Sequence, residues 1–199
     1  MNCRLIISLC LIVSLLTACG ENTGKTSAAK SIPVKAGNFQ LTPYPGLGGL
    51  QKAVKKDAQD NIEEEGDLLN GEREGTWVTY HKGIKSHLME GVTAYRKGIK
   101  HGAYLKMDNR GSLTEKGYYV NGNLDGRVIV FERGRIKEET DYKAGQIDGE
   151  RKRYYSNLKL QEAGTFKNGK RDGYARWYDE EGNVTIEYQY KNGEKVGGS

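Results

Sequence analysis

The segment Gly164-Thr165-Phe166-Lys167-Asn168-Gly169-Lys170-Arg171-Asp172-Gly173-Tyr174-Ala175-Arg176-Trp177-Tyr178 decides the fold. It holds an aromatic residue, an Asn-Gly pair, a second glycine four residues on, and a second aromatic stretch. Asn-Gly between two runs of β-forming residues is the favoured tight hairpin turn, because both central residues must take positive φ. The same arrangement recurs along the chain. Its first glycines are Gly71, Gly98, Gly122, Gly145, Gly169 and Gly193, separated by 27, 24, 23, 24 and 24 residues. The second glycines are Gly75, Gly102, Gly126, Gly149, Gly173 and Gly197. A nearly fixed period of this length marks a repeat array, in which each unit buries its surface against its neighbours.

Two aromatic registers follow the same period. Leu68, Tyr95, Tyr119, Tyr142, Phe166 and Tyr190 stand three residues before each first glycine, and Tyr80, Met107, Phe131, Tyr154 and Tyr178 stand nine after it. These positions are the expected core of the repeat. Truncating Tyr119 or Phe166 is accordingly expected to cost about 3–5 kcal/mol. A second turn follows each latter slot, at Lys82-Gly83, Arg110-Gly111, Arg133-Gly134, Ser156-Asn157 and Glu181-Gly182-Asn183. The unit is therefore strand, tight turn, strand, second turn. The fold class is all-β, an elongated antiparallel meander of about twelve short strands in about six hairpins.

The stretch Gln51–Gln59 contains good helix formers, but the register overrides them. Asp57-Ala58-Gln59-Asp60-Asn61-Ile62 lies over Asp179-Glu180-Glu181-Gly182-Asn183-Val184 when Asn70 is placed on Asn192. Leu50 to Leu69 is therefore expected to be the first hairpin. One interval, Gly83 to Gly98, is longer than its counterparts and is expected to hold a bulge or enlarged loop around Lys85–Gly91.

The N-terminal segment has a different character. Arg4 precedes the short apolar run Leu5–Leu16, which ends in Leu16-Thr17-Ala18-Cys19-Gly20. This resembles the lipobox of bacterial lipoproteins, which implies removal of residues 1–18 and lipidation of Cys19. Cys3 and Cys10 leave with the leader, so a mature chain keeps Cys19 alone and stability rests on packing. Residues 19–48 are expected to be the lipidated cysteine and a flexible tether, and 49–199 the repeat domain. The expected location is the cell envelope, lipid-anchored, on the periplasmic face of the outer membrane if the host has two membranes.

The whole chain has 31 basic and 26 acidic side chains. Arg4 leaves with the leader, so 30 stand against 26, a net charge of +4 with both signs interspersed. That pattern suits a solvated surface and argues against a nucleic-acid partner, which requires clustered cations. The residues also argue against an enzyme. His81, His87 and His101 have no metal-ligand spacing. Asp125, Asp148 and Asp172 precede turn glycines, where carboxylates cap turns, and this reading is preferred to a calcium site. The glycine pairs are turn chemistry, not a phosphate loop. No catalytic residue, metal or cofactor is expected.

The quoted segment, continued to Asn183, resembles the variant MORN repeat, and Gly117–Gly134 and Gly66–Gly83 match almost as well. Arrays of this repeat, here over roughly residues 54–197, are grouped as YwqK-type toxin–antitoxin antitoxins. The resemblance implies direct neutralisation of a toxin; the wider family implies protein scaffolding, sometimes close to membranes. One unit departs from the pattern: Ala144-Gly145 lacks the Asn, and the strand after it reads Arg151-Lys152-Arg153-Tyr154-Tyr155.

Rings outside the two registers are the candidates for a binding face: Trp77, Trp177, Tyr104, Tyr118, Tyr155, Tyr174 and Tyr188. Strand alternation places the first register, Leu68, Tyr95, Tyr119, Tyr142, Phe166 and Tyr190, on the packed face and much of the unit-to-unit variation on the other. Arg151, Arg153 and Tyr155 are expected on that second face as part of a site for an acidic protein, with Trp77 and Trp177 as outlying contacts. The expected function is a non-enzymatic, protein-binding envelope lipoprotein, antitoxin- or immunity-like. The alternative is a structural envelope module that binds glycan or peptidoglycan through exposed aromatics.

Overall fold

The computed structural model of the protein describes residues 36–83 and 87–198. The leader, Cys19, the start of the expected tether and part of the irregular loop that includes Lys85 lie outside these residues. The described chain forms one open antiparallel sheet of fifteen strands, paired in chain order. They are β1 (Gln40–Pro43), β2 (Leu50–Lys56), β3 (Ile62–Leu69), β4 (Glu72–Tyr80), β5 (Met89–Arg96), β6 (Ile99–Met107), β7 (Leu113–Val120), β8 (Asn123–Leu124) and β9 (Gly126–Glu132). There follow β10 (Arg135–Lys143), β11 (Gln146–Tyr154), β12 (Leu160–Lys167), β13 (Lys170–Tyr178), β14 (Val184–Lys191) and β15 (Glu194–Gly198).

The all-β meander expected from the period is present, and β2 and β3 form the hairpin expected over Leu50–Leu69. Three strands exceed the expected twelve. An interruption at Asp125 splits one strand into β8 and β9, the last tight turn leads into β15, and β1 adds a strand before the first hairpin. The sheet therefore begins inside the segment expected to be a tether. Gln40–Pro43 pairs with Gln51–Val54, the Phe39 ring lies edge-on to Trp77 at 5.7 Å, and Tyr44 donates to Asp67. Phe39 and Leu41 both pack on the cluster of Ala53, Leu68 and Trp77, closing that end of the apolar row.

The two glycines of each unit do different work. The first closes the tight turn: Asn168 and Gly169 have φ of +49° and +79°, the pair of positive angles such a turn demands. The second sits in a bulge. Gly164 pairs with Ala175 and Phe166 with Arg171, so three residues, Asp172 to Tyr174, stand opposite Thr165 alone. Gly173 takes φ +106° there, and a Cβ on it would stand 2.2 Å from the Thr165 hydroxyl oxygen.

The bulges decide which side chains are buried. Cross-strand pairs link Ala53–Gly66, Trp77–Thr93, Thr93–Tyr104, Tyr104–Gly117, Val128–Thr140, Thr140–Arg151, Arg151–Gly164 and Gly164–Ala175 in one row across one face. Large side chains in this row lie against small ones. Trp77 covers Gly66 and Tyr104 covers Gly117, where an added Cβ would meet each ring at 2.4 and 2.7 Å. Trp77 is 1% exposed and Tyr104 2%. The expected core differs from this row. Of its residues only Leu68 is fully buried, and the others are half-buried.

The two aromatic registers also lie on opposite faces. Tyr95, Tyr119, Tyr142, Phe166 and Tyr190 share the face of Trp77, as the Trp77–Tyr95 and Tyr104–Tyr119 ring contacts show. Tyr80, Met107, Phe131, Tyr154 and Tyr178 alternate to the other face, where Tyr80 and Tyr154 donate to Glu65 and Glu139. A single sheet gives each register cover from neighbours in its own layer only, and half-burial follows.

The tight-turn edge is zipped from unit to unit. The backbone N–H groups of Gly98, Gly122, Gly145, Gly169 and Gly193 donate to the carbonyls of Arg73, Lys100, Leu124, Ile147 and Arg171 at 2.8–2.9 Å. In four units the residue before the second glycine adds a side-chain bond. Asp125, Asp148 and Asp172 accept from the backbone N–H of Ala144, Asn168 and Asn192 at 3.1, 3.0 and 3.2 Å. Glu74 does the same for Lys97. These carboxylates cap the following unit's turn rather than their own.

The opposite edge carries longer loops. Asp57, Asp108 and Asp179 each open a loop and accept backbone N–H groups within it, from Asn61, Ser112 and Asn183 among others. The match of Asp57–Ile62 to Asp179–Val184 is seen in their shared backbone closure, Asp57 N–H to the Asn61 carbonyl and Asp179 N–H to the Asn183 carbonyl.

Candidate partner-binding site

The basic strand β11 runs through the middle of the second half of the sheet. Arg151 occupies the place in the buried row that Trp77 and Tyr104 hold in earlier units, opposite Gly164. Its guanidinium donates to Glu138 at 3.1 Å, and Arg153 donates to the same carboxylate at 3.0 Å. Arg153 also lies 3.7 Å from Glu162, which in turn accepts from Arg171 at 2.7 Å. Burial alone would push the Glu138 carboxyl up, but bonds from Arg151, Thr140 and Arg153 outweigh it and hold it below its ordinary 4.5. Arg151 Nε and Arg171 Nη1 are buried without a hydrogen-bond partner among the described residues. The Arg171 guanidinium lies over the Phe166, Trp177 and Tyr190 rings at 5.1, 5.5 and 5.6 Å.

The structure brings three of the five expected contacts together. Arg153, Tyr155 and Trp177 line one cleft of about 290 Å³, with Gln161, Glu162, Tyr178 and Thr185. The Tyr155 hydroxyl donates to the Tyr178 carbonyl at 2.6 Å, which fixes the ring in the wall. Trp77 is not part of the site. It is buried on β4, enclosed by Phe39, Tyr95 and Arg73, and its indole N–H donates to the Asp67 carbonyl. Tyr104 is buried in the same row and donates to Glu115 at 2.7 Å.

The expected division of faces is also corrected. Arg151, Arg153 and Trp177 stand on the face of Phe166 and Tyr190, not the opposite one. The three-for-one bulge keeps the side-chain alternation in phase between Phe166–Arg171 and Gly164–Ala175. Arg171 and Arg153 therefore look onto the same surface as the register rings.

Glu64, Glu115, Glu138 and Glu162 were not singled out by the sequence reading. All four stand seven residues before a first turn glycine. Each accepts a cation from a neighbouring strand: Arg73 at 2.5 Å, Lys106 at 2.9 Å, Arg151 at 3.1 Å and Arg171 at 2.7 Å respectively. The recurrence was present in the period and could have revealed this row. Among the described residues, no group of three or more His, Cys, Asp or Glu side chains is placed to hold a metal.

No protein-family model matches the chain, and no curated protein matches it. Among solved structures, the crystal structure of TarM overlaps 56% of this chain and 22% of its own, with a TM-score of 0.35 and 11% identity. A mutant of TarM from S. aureus in complex with Fondaparinux, alpha-GlcNAc-glycerol and UDP overlaps 82% of this chain and 22% of its own, at 0.28 and 8%. The GtfA/B complex bound to UDP and GlcNAc overlaps 85% and 28%, at 0.24 and 12%. The chain spans less than a third of each of these proteins, and similarity at this level says nothing of its activity.

Proposed function

We propose that the chain is a non-enzymatic protein-binding repeat module, held in the cell envelope by a lipid on Cys19, and that it acts as an antitoxin- or immunity-like partner of another protein. The observation that supports this most is the convergence of Arg153, Tyr155 and Trp177 in one cleft. Arg, Tyr and Trp are the residue types that anchor protein interfaces, combining large area with directional hydrogen bonds. An open single-layer sheet also exposes two broad faces, which suits a macromolecular partner better than a small enclosed substrate.

Charge reversal of Arg151 is a poor probe, because that side chain shares Glu138 with Arg153 inside the packed row. The test is Arg153→Gln combined with Trp177→Leu, assayed by crosslinking of the lipidated full chain in its native envelope. Loss of the crosslinked partner is expected while the variant still unfolds cooperatively with its β-sheet circular dichroism intact. Losing the Arg153–Glu138 and Arg171–Trp177 contacts lowers its melting temperature. Full retention by the double variant overturns the assignment of this cleft. A second reading, a structural module that binds glycan or peptidoglycan, rests on Trp177 lining the cleft with the polar Gln161 and Glu162. It predicts co-sedimentation with purified peptidoglycan that the same double variant loses.

A further inference from the structure

The long-loop edge of the sheet has a notch. The loops Asp57–Asn61, Asp108–Ser112, Tyr155–Lys159 and Asp179–Asn183 all close through five residues. Between β9 and β10 the chain instead turns through Arg133-Gly134 alone, with φ of +52° and +75°. The neighbouring Tyr155–Lys159 loop overhangs this short turn, and the space between them is a cleft of about 360 Å³. Arg133, Arg135 and Lys137 line it, together with one acid, Glu132, and with Ile136, Tyr154, Tyr155 and Ser156.

Its charge is poorly neutralised. Arg133 has no carboxylate within bonding distance among the described residues. Arg135 uses Nη1 on the Ser156 carbonyl at 2.6 Å, which fixes the side chain and leaves most of its five donors for another acceptor. Lys137 pairs with Glu132 at 3.1 Å, but both side chains are more than half exposed, at 53% and 61%. Such a pair contributes little and exchanges readily. Three of the other loops on this edge open with an acid, Asp57, Asp108 or Asp179, that their own backbone occupies. At the notch Glu132 stands at the register position of Asp108 and Asp179, ten residues after the first glycine. It has no five-residue loop to cap, and Arg133, Arg135 and Lys137 outnumber it.

We propose that this notch seats an acidic, carboxylate-rich peptide segment of the protein partner. Cations along one side select carboxylates, while Ile136, Tyr154 and Tyr155 offer apolar surface to the side chains between them. That mixture fits a peptide better than a bare lipid headgroup. Tyr155 lines both this cleft and the one holding Arg153 and Trp177, so one partner can run from one to the other along the edge. The inference rests on the protein-binding reading above.

The test is fluorescence anisotropy of a labelled hexaglutamate peptide titrated with the full chain at low salt. Arg133→Asn suits the positive φ of that position, and Arg135→Gln removes the second charge. The double variant is expected to weaken binding roughly fivefold or more. The control Arg110→Gln, on the neighbouring long loop, is expected to change it by less than about twofold. Equal weakening by the control means that net charge alone is sensed and overturns the proposal. So does the absence of saturable binding, or binding through Arg133 and Arg135 to phosphatidylglycerol vesicles but not to the peptide. If peptide binding fails while Arg153→Gln with Trp177→Leu still abolishes envelope crosslinking, this inference falls and the protein-binding reading stands.

Discussion

The indole of Trp77 lies against the backbone of Gly66 so closely that a Cβ on that glycine would stand 2.4 Å from the ring. Gly66 has an ordinary strand conformation, so the constraint is space and not φ. Gly66→Ala must displace a 1%-exposed tryptophan and is expected to destabilise the sheet by about 1–3 kcal/mol in chemical denaturation. In a Trp77→Leu background the same alanine is expected to cost much less. Equal cost in both backgrounds would break the link between the two residues.

Trp77→Ala is expected to cost about 3–5 kcal/mol, the range for a large ring lost from a packed interior. Tyr119→Ala and Phe166→Ala, half-buried in the structure, are expected to cost less, about 1–2 kcal/mol each. This order reverses the importance that the aromatic period suggests, and urea midpoints at constant m-value measure it.

Acid should weaken the carboxylate caps along both edges of the sheet. Asp172 is held below its ordinary 3.8 by the Asn192 N–H and then by Lys191, and Asp57, Asp108 and Asp179 by bonds within their own loops. A carboxylate with a depressed folded pKa stabilises fully above its unfolded value and stops doing so as pH falls through its folded value. The melting temperature should therefore hold near neutrality and drop below about pH 4. Asp172→Ala should melt lower than the parent at neutral pH and converge on it in acid; a gap that persists in acid would exclude the carboxylate as its origin.

Several phenols should titrate late, Tyr80 and Tyr154 among them. Burial, followed by hydrogen bonds to Glu65 and Glu139, pushes Tyr80 and Tyr154 up to about 12. Their contribution to stability is complete below the ordinary 10.0 and is lost as pH rises towards 12. Tyr80→Phe and Tyr154→Phe should each remove amplitude from the phase near pH 12 of an alkaline absorbance titration. Loss from the early phase instead would place those hydroxyls in solvent.

The turns were legible because their chemistry is local. Asn70-Gly71, Asn168-Gly169 and Asn192-Gly193 specify their angles within two residues, and the period then places every strand between them. The overlay of Asp57 on Asp179 worked for the same reason. Burial was not legible. Which ring is covered depends on the bulge at each second glycine and on the small residue it brings opposite, as with Gly66 beneath Trp77 and Gly117 beneath Tyr104. The candidate site was legible in part. Arg153, Tyr155 and Trp177 stand out by composition, but the glutamates that orient the arginines come from β10 and β12, and only strand pairing brings Glu138 and Glu162 to them.

The hydrogen bonds from each tight turn back to the unit before it give the chain a property of measure. Every such bond joins a unit to its immediate predecessor, through backbone groups and carboxylates that recur from unit to unit. A duplicated or excised segment of 23 or 24 residues would therefore find the same seam on both sides. Each would lengthen or shorten the sheet by two strand spacings, about 9.5 Å. Gene duplication acting on such a chain makes a ruler, whose length is set in whole units and inherited without redesign of any seam.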